Sequence, residues 1–457
     1  MPALDDLPVS EPARVRWHAR WVVPVAAAPI ADGTVITEDD RIAWVGERRH
    51  APAGGRDEDL GDAILTPGLV NAHTHLDLTV LRGLLIDLPF FDWVRTLTRA
   101  IAQLDDADQL ASASLGIAEG LLGGVTTFAD TAPNDAAFTA MRAIGVRGVC
   151  YREVFGPDPK DAEKHLATLA DQVAAMRRRE TELVRVGVSP HAPYSVSDAL
   201  YTAVADFARR ERLPVAVHIA EGADESRLVA SGEGDFARFL QGRGIATPPR
   251  GSEPLELVER AGLLRRDTLL IHAVRVSPAA IGRIADAGCG VAHCPASNAK
   301  LGHGIAPLLA MLRAGAQVGL GSDSMASNDR MDLLEEARLA VLAQRATSAR
   351  HDAVTAQQAF RLATLGGAEA LGLDEEIGSL EPGKQADLAA FALPAGPRHN
   401  VYDTLIFGPR PRTLRSIVAG RELMRDGVVV GLDPSHAQRV EKAASRLQRW
   451  RESQTKV

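Results

Sequence analysis

Cysteine is scarce in this chain of 457 residues: Cys150, Cys289 and Cys294 make three, none in a CxxC spacing. An odd, scattered set excludes a disulfide framework and points to a reducing compartment. Long apolar runs are missing as well. The stretch WVVPVAAAPIA (21–31) is too short and too broken by proline to span a bilayer, and the opening MPALDDLPVSEPARVRW is acidic where a secretory signal is basic. A cytoplasmic protein without a membrane partner is expected. No basic patch offsets the net charge of −8, since MRRRE (176–180) and FARRERL (207–213) fall in helical-looking segments as solvated faces. A nucleic-acid partner is therefore not expected. Lysine numbers only six, and where those few stand matters below.

What is present is a repeated grammar. Between about residues 64 and 323 a short apolar or β-branched run is followed by a polar turn and then by a longer Ala/Leu-rich stretch with helical spacing. The runs are GLVNAHTH (68–75), GVTTFADT (124–131), GVRGVCYREV (145–154), VRVGVSPHAP (184–193), PVAVHIAE (214–221), TLLIHAV (268–274), GVAHCPASN (290–298) and AQVGLGSDS (316–324). Eight parallel strands with intervening helices predict an α/β fold, a distorted (β/α)8 TIM-type barrel. The flanks, 13–49 and 378–430, carry short runs punctuated by Gly, Asp and Pro, which predicts a small composite β-sandwich from both termini. The domain limits read as 1–63 and 376–435 for the two sandwich parts, 64–375 for the barrel and 436–457 for a C-terminal helix.

The polar residues fall on the strand tails. In a strand, residues i and i+2 share a face, so His73 and His75 project together at the C-terminal end of the first run, the catalytic mouth of a barrel. His191, His218, His272, His293 and Asp323 end the fourth to eighth runs. A catalytic zinc takes three or more N or O ligands and keeps one open position; His73, His75, His218 and Asp323 supply that set. Iron accepts the same donors. A metal pair bridged by a modified lysine would need a lysine on the fourth strand, and none is there, so one divalent ion per chain is expected, zinc first and iron second. Glu221, three residues after His218, is placed to move protons between water and a substrate nitrogen. His272, the single polar member of LLIHAV, reads as orienting the water and stabilising developing negative charge. For His191 and His293, substrate contact, support of the ligands and packing stay open.

The stretches LTPGLVNAHTHLDLTVLRG (65–83), SPHAPYSVS (189–197), VHIAEGADE (217–225), VAHCPASNAKLGHGIAPLLAMLRAG (291–315), GLGSDSMASNDRMDLLEEARLA (319–340) and IGSLEPGKQADLAAF (377–391) resemble the amidohydrolase superfamily, in its branch of mononuclear-metal deaminases and chlorohydrolases. The resemblance implies His73, His75, His218 and Asp323 as metal ligands, Glu221 as proton shuttle, His272 as the water-orienting histidine, Asp323 as a further proton acceptor, and His191, Asn298 and His303 as substrate contacts. It implies a small-molecule substrate and water as partners, with a homo-oligomer left open. The reaction implied is hydrolytic deamination of a 6-aminopurine nucleoside. Phe90, Phe91 and Trp93 are expected to form an apolar wall over the mouth, and Arg147 and Arg152 to meet a substrate carboxylate. The acidic residue that adenosine-type members carry about ten positions beyond that Trp is replaced here by AIAQL (100–104). Aminodeoxyfutalosine is accordingly the first expected substrate. S-adenosylhomocysteine, methylthioadenosine and adenosine, a triazine-type chloro- or aminohydrolase activity, and a non-catalytic scaffold are the alternatives.

Overall fold

The computed structural model describes residues 14–394 and 400–454; the acidic opening stretch lies mostly outside them. The N-terminal flank contributes β1 (Val15–Val22), β2 (Ile30–Glu38), β3 (Arg41–Glu47), β4 (Arg56–Asp59) and β5 (Ala63–Pro67). The chain then enters a parallel sheet of β6 (Leu69–His75), β7 (Val125–Ala132), β8 (Arg147–Val154), β9 (Val184–Pro190), β10 (Val215–Ile219), β11 (Thr268–His272), β12 (Gly290–His293), β13 (Gln317–Leu320) and β14 (Asp323–Ser324). These strands are Val-, Ile- and Ala-rich and buried along almost their whole length, because helices cover their outer face and side chains fill the interior.

The eighth predicted run is split. β13 ends at Leu320, Gly321 and Ser322 break it, and β14 then pairs with β6 through Asp323↔Thr74 and Ser324↔His75. The barrel therefore closes at the level of the site residues. Asn71 braces this joint, its amide nitrogen donating to Ser322 Oγ (2.8 Å) and its amide oxygen accepting the Ser322 N–H (2.9 Å). On the other side of β6 the register with β7 slips between Asn71 and Thr74, and the barrel is correspondingly distorted.

The C-terminal flank returns as β15 (Leu388–Ala392), β16 (Thr413–Val418), β17 (Arg421–Arg425) and β18 (Val428–Val429). Both flanks join in one nine-stranded, mostly antiparallel sheet in which β15 pairs with β5. β1 pairs with β2 along one edge and with β4 and then β5 along the other. An Arg41↔Gln385 bridge brings β3 back to the chain entering β15, so the sheet folds over its own core of Trp17, Val22, Val35, Leu65, Leu388 and Ile417.

A separate apolar core caps the barrel mouth. The helix Phe90–Ile101 and the C-terminal helix Ser435–Gln454 meet there, burying Phe90, Trp93, Tyr194, Phe236, Val440, Ala443 and Leu447 in one cluster. The three cysteines are buried and unpaired. Among the described residues no helix is long and apolar enough to cross a membrane.

Candidate metal and active site

His73 and His75 leave the end of β6 with ring centroids 4.8 Å apart. Asp323, carried beside them by the β14–β6 pairing, places Oδ1 3.3 Å from His73 Nε2 and 3.6 Å from His75 Nε2. His218, at the end of β10, brings its Nε2 to 3.3 Å from His75 Nε2. Four side chains from three parts of the barrel thus aim at one point.

The donor set fits a divalent cation. The His75 Nδ1–H donates to the Thr131 carbonyl at 2.8 Å, which leaves the Nε2 lone pair facing the opposing His218 nitrogen. Both His73 ring nitrogens are buried without a hydrogen-bond partner among the described residues. Facing lone pairs and orphaned imidazole nitrogens are costly unless a positive charge sits between them. Burial pushes His73 down to about 4 and His218 well below the ordinary imidazole value, so both are neutral, the form that ligates. Asp323 would be raised by burial, yet the imidazoles facing it, His73 first and then His272 and His75, outweigh this and hold it well below the usual carboxylate range. Its Oδ2 accepts from Ser297 Oγ (2.6 Å) and Ser327 Oγ (3.0 Å), which fixes the rotamer.

Beside this cluster stand two groups able to handle protons. Glu221 Oε1 lies 3.2 Å from His303 Nε2 and 3.6 Å from His272 Nε2. Burial alone would raise its carboxyl, but His272 and His303 together hold it low. His272 Nδ1 lies 3.0 Å from Asn298 Oδ1; with that oxygen accepting, Nδ1 carries the proton and Nε2 faces Glu221 and Asp323. The strand ends that present these groups are strained: Ala220, His272, Ala273 and Asp323 all have left-handed φ, at 52°, 73°, 45° and 57°. Non-glycine residues rarely adopt that conformation, and such strain concentrates at functional sites. Glu225 holds one of these turns, accepting the backbone N–H groups of Ala220 and Glu221 at 2.8 Å each.

Residues 64–430 match the amidohydrolase family. The chain belongs to that family. The amidohydrolase is 33% identical over 424 residues, 90% of its own length and 94% of the relative's, to the 5-methylthioadenosine/S-adenosylhomocysteine deaminase of Moorella thermoacetica. Its fold superposes on that of an adenosine deaminase from Xanthomonas campestris with bound zinc, with a TM-score of 0.84 and 30% identity over 96% of this chain and 99% of the other. Helicobacter pylori aminofutalosine deaminase in complex with methylthio-coformycin gives a TM-score of 0.78 over 90% of this chain and 100% of the other, at 21% identity, a likeness of fold alone. Family and relatives together make the chain a hydrolase acting on C–N bonds.

The cavity over the amidohydrolase's site is lined by His75, His191, His218, Glu221, His272 and Asp323 on one side and by Phe90, Trp93, Val94, Leu97 and Ile101 on the other. The aromatic wall is thus a face of the helix Phe90–Ile101; Phe91 turns away and packs on Phe236 and Phe239. His191 lies on the cavity with its Nδ1 2.7 Å from Ser195 Oγ.

Other expectations are corrected. Arg147 stands at the start of β8, the far end from the mouth, and grips Asp387. Arg152 shares its parity with Cys150 and Val154, which face the outer core, and its guanidinium pairs with Asp135 outside the barrel. Neither arginine lines the cavity. Asn298 is buried behind His272, and His303 stands at the back of Glu221 with its ring edge-on to Phe90 at 4.5 Å; neither is among the residues lining this cavity. His293 is buried with both ring nitrogens unpartnered among the described residues and is not among the cavity-lining residues. Glu153, Asp77 and Tyr194 line the cavity unanticipated. For Glu153 the sequence carried half the signal: in CYREV, Arg152 and Glu153 must face opposite ways, without saying which faces in.

Proposed function

We propose that this amidohydrolase deaminates a 6-aminopurine nucleoside with the help of one divalent ion, zinc, held by His73, His75, His218 and Asp323. The observation that carries the reading is the convergence of Glu221 Oε1, His272 Nε2 and the Asp323 carboxylate beside those ligands, under an apolar wall. Such an ion, once bound, would make a water beside it acidic enough to supply hydroxide near neutral pH. Water then adds to the carbon bearing the exocyclic amine; Glu221 takes a proton from the water and delivers it to the ring nitrogen, and Asp323 accepts the second. His272 orients the attacking water, its Nε2 accepting a hydrogen bond from it. The C–N bond breaks as Asp323 gives up that second proton to the departing amine, ammonia leaves, and the oxo compound remains. The deaminase relatives support this chemistry.

Aminodeoxyfutalosine, first in the sequence reading, keeps its aromatic wall and loses its arginines. Among the described residues the cavity lining holds Asp77, Glu153, Glu221 and Asp323 but no Arg or Lys. A substrate carboxylate desolvated there without a cation costs about 3 kcal/mol or more, a factor of roughly a hundred. Methylthioadenosine and adenosine therefore rank above S-adenosylhomocysteine and aminodeoxyfutalosine. The test measures ammonia release from these four with metal-loaded protein, alongside chloride release from a chloro-s-triazine. Chloride release without ammonia from any nucleoside would overturn the proposal in favour of a triazine-type hydrolase.

A further inference from the structure

His75 shows how this site sets an imidazole: one nitrogen donates to a fixed acceptor, the Thr131 carbonyl, so that the other is free at the centre. His218 presents Nε2 to the same centre, so its proton belongs on Nδ1. That nitrogen is buried and has no hydrogen-bond partner among the described residues, a costly arrangement for a polar group. Facing it at 4.0 Å is Glu153 Oε1, which is equally buried and unpartnered. Alternation with Val149 and Tyr151, both in the barrel interior, points Glu153 inward from β8. Thr131, whose carbonyl orients His75, also stands beside this carboxyl. The neighbouring carboxylates are engaged elsewhere: Asp77 accepts from Asn134 Nδ2 (2.7 Å), and Asp130 from the Leu76 N–H (2.7 Å) and Thr74 Oγ1 (3.1 Å).

We infer that Glu153 is the positioning residue of His218. The inference rests on the metal-site reading above. With His218 ligating through Nε2, Nδ1–H closes the remaining distance to Oε1; this fixes the ring and its tautomer and makes the ligand more basic, as carboxylate partners of metal-binding histidines do. Two orphaned atoms of complementary type, separated by about one ångström more than a hydrogen bond, become a bonded pair.

Metal affinity, read by competition with a chromophoric chelator, and the visible spectrum of the cobalt-loaded protein test this without reference to turnover. Glu153→Ala is expected to weaken metal binding about 10- to 100-fold and to shift the cobalt bands, whereas Glu153→Gln, whose amide oxygen still accepts, stays within a few-fold of the parent. Glu153→Met, similar in length and lacking the acceptor, gives the same contrast with Gln in a filled site should the alanine variant fail to fold. Unchanged affinity in both Ala and Met variants overturns the pairing. So does a parent chain holding two ions that drops to one in Glu153→Ala, which would make Glu153 a ligand, or a variant altered only in KM, which would make it a substrate contact. A parent chain that binds no divalent ion removes the metal-site reading and this inference with it.

Discussion

Arg147 grips both oxygens of Asp387, with Nε at 2.7 Å and Nη2 at 3.1 Å, across the junction between the base of β8 and the β-domain. Asp387 Oδ1 also accepts the Ala419 N–H at 2.8 Å, and both side chains are almost fully buried. Removing one partner leaves a buried charge alone. Arg147→Ala should therefore lose about 3–5 kcal/mol of stability, measured as a lowered urea midpoint, while folded protein keeps a near-parental KM. A raised KM for an anionic substrate at unchanged stability would restore the carboxylate-binding role.

Chelation should abolish activity, and metal analysis should find close to one divalent ion per chain. His73→Ala loses a ligand that is fully buried and should lose metal and activity together. Two tightly held ions in the parent would refute the single-ion reading.

Glu221→Gln is isosteric and should bind metal normally, because Glu221 touches His272 and His303 but none of the four ligands within ion-pair distance. An amide cannot carry the proton, so turnover should fall by about 10²- to 10⁴-fold. Near-parental kcat would show that another group shuttles the proton.

Gly321 lies where a side chain has no room: an added Cβ would stand 2.9 Å from His73 Cβ and 3.0 Å from Cys294 Sγ. Its φ is not in the left-handed region, so the constraint is space alone. Gly321→Ala should push His73 off its position, lowering metal affinity and costing about 1–3 kcal/mol from overpacking. Chelator competition on the folded variant reads the first effect and a denaturant curve the second.

The C-terminal helix shares one apolar cluster with the apolar wall of the cavity, Leu447 packing in the same core as Phe90 and Trp93. Asp108 anchors it by pairing with Arg439 and Arg446. Leu447→Ala should cost about 2–5 kcal/mol and raise KM for methylthioadenosine more than it lowers kcat, since the wall loosens while the ligands stay put. An equal fall in kcat at constant KM would mean that the wall does not hold the substrate.

Much of the barrel and the clustering of histidines at its mouth was determined by the sequence alone, because both signals are local. Apolar runs spaced by helical segments identify each strand independently, and His73 and His75 must share a face wherever β6 lies. The β-domain was legible for the same reason at both termini, though not that its strands join through β5 and β15. Tertiary structure decided what depends on direction. Arg152 and Glu153 are adjacent, and only the barrel's curvature settles which of them faces in. Asp323 reaches His73 because β13 breaks at Gly321 and Ser322 and restarts against β6, a long-range pairing that no local pattern encodes. The left-handed turns at Ala220, His272 and Asp323 run against local preference and persist because burial and bonds such as those from Glu225 hold them, so the aim of the site's key groups is set by contacts distant in the chain.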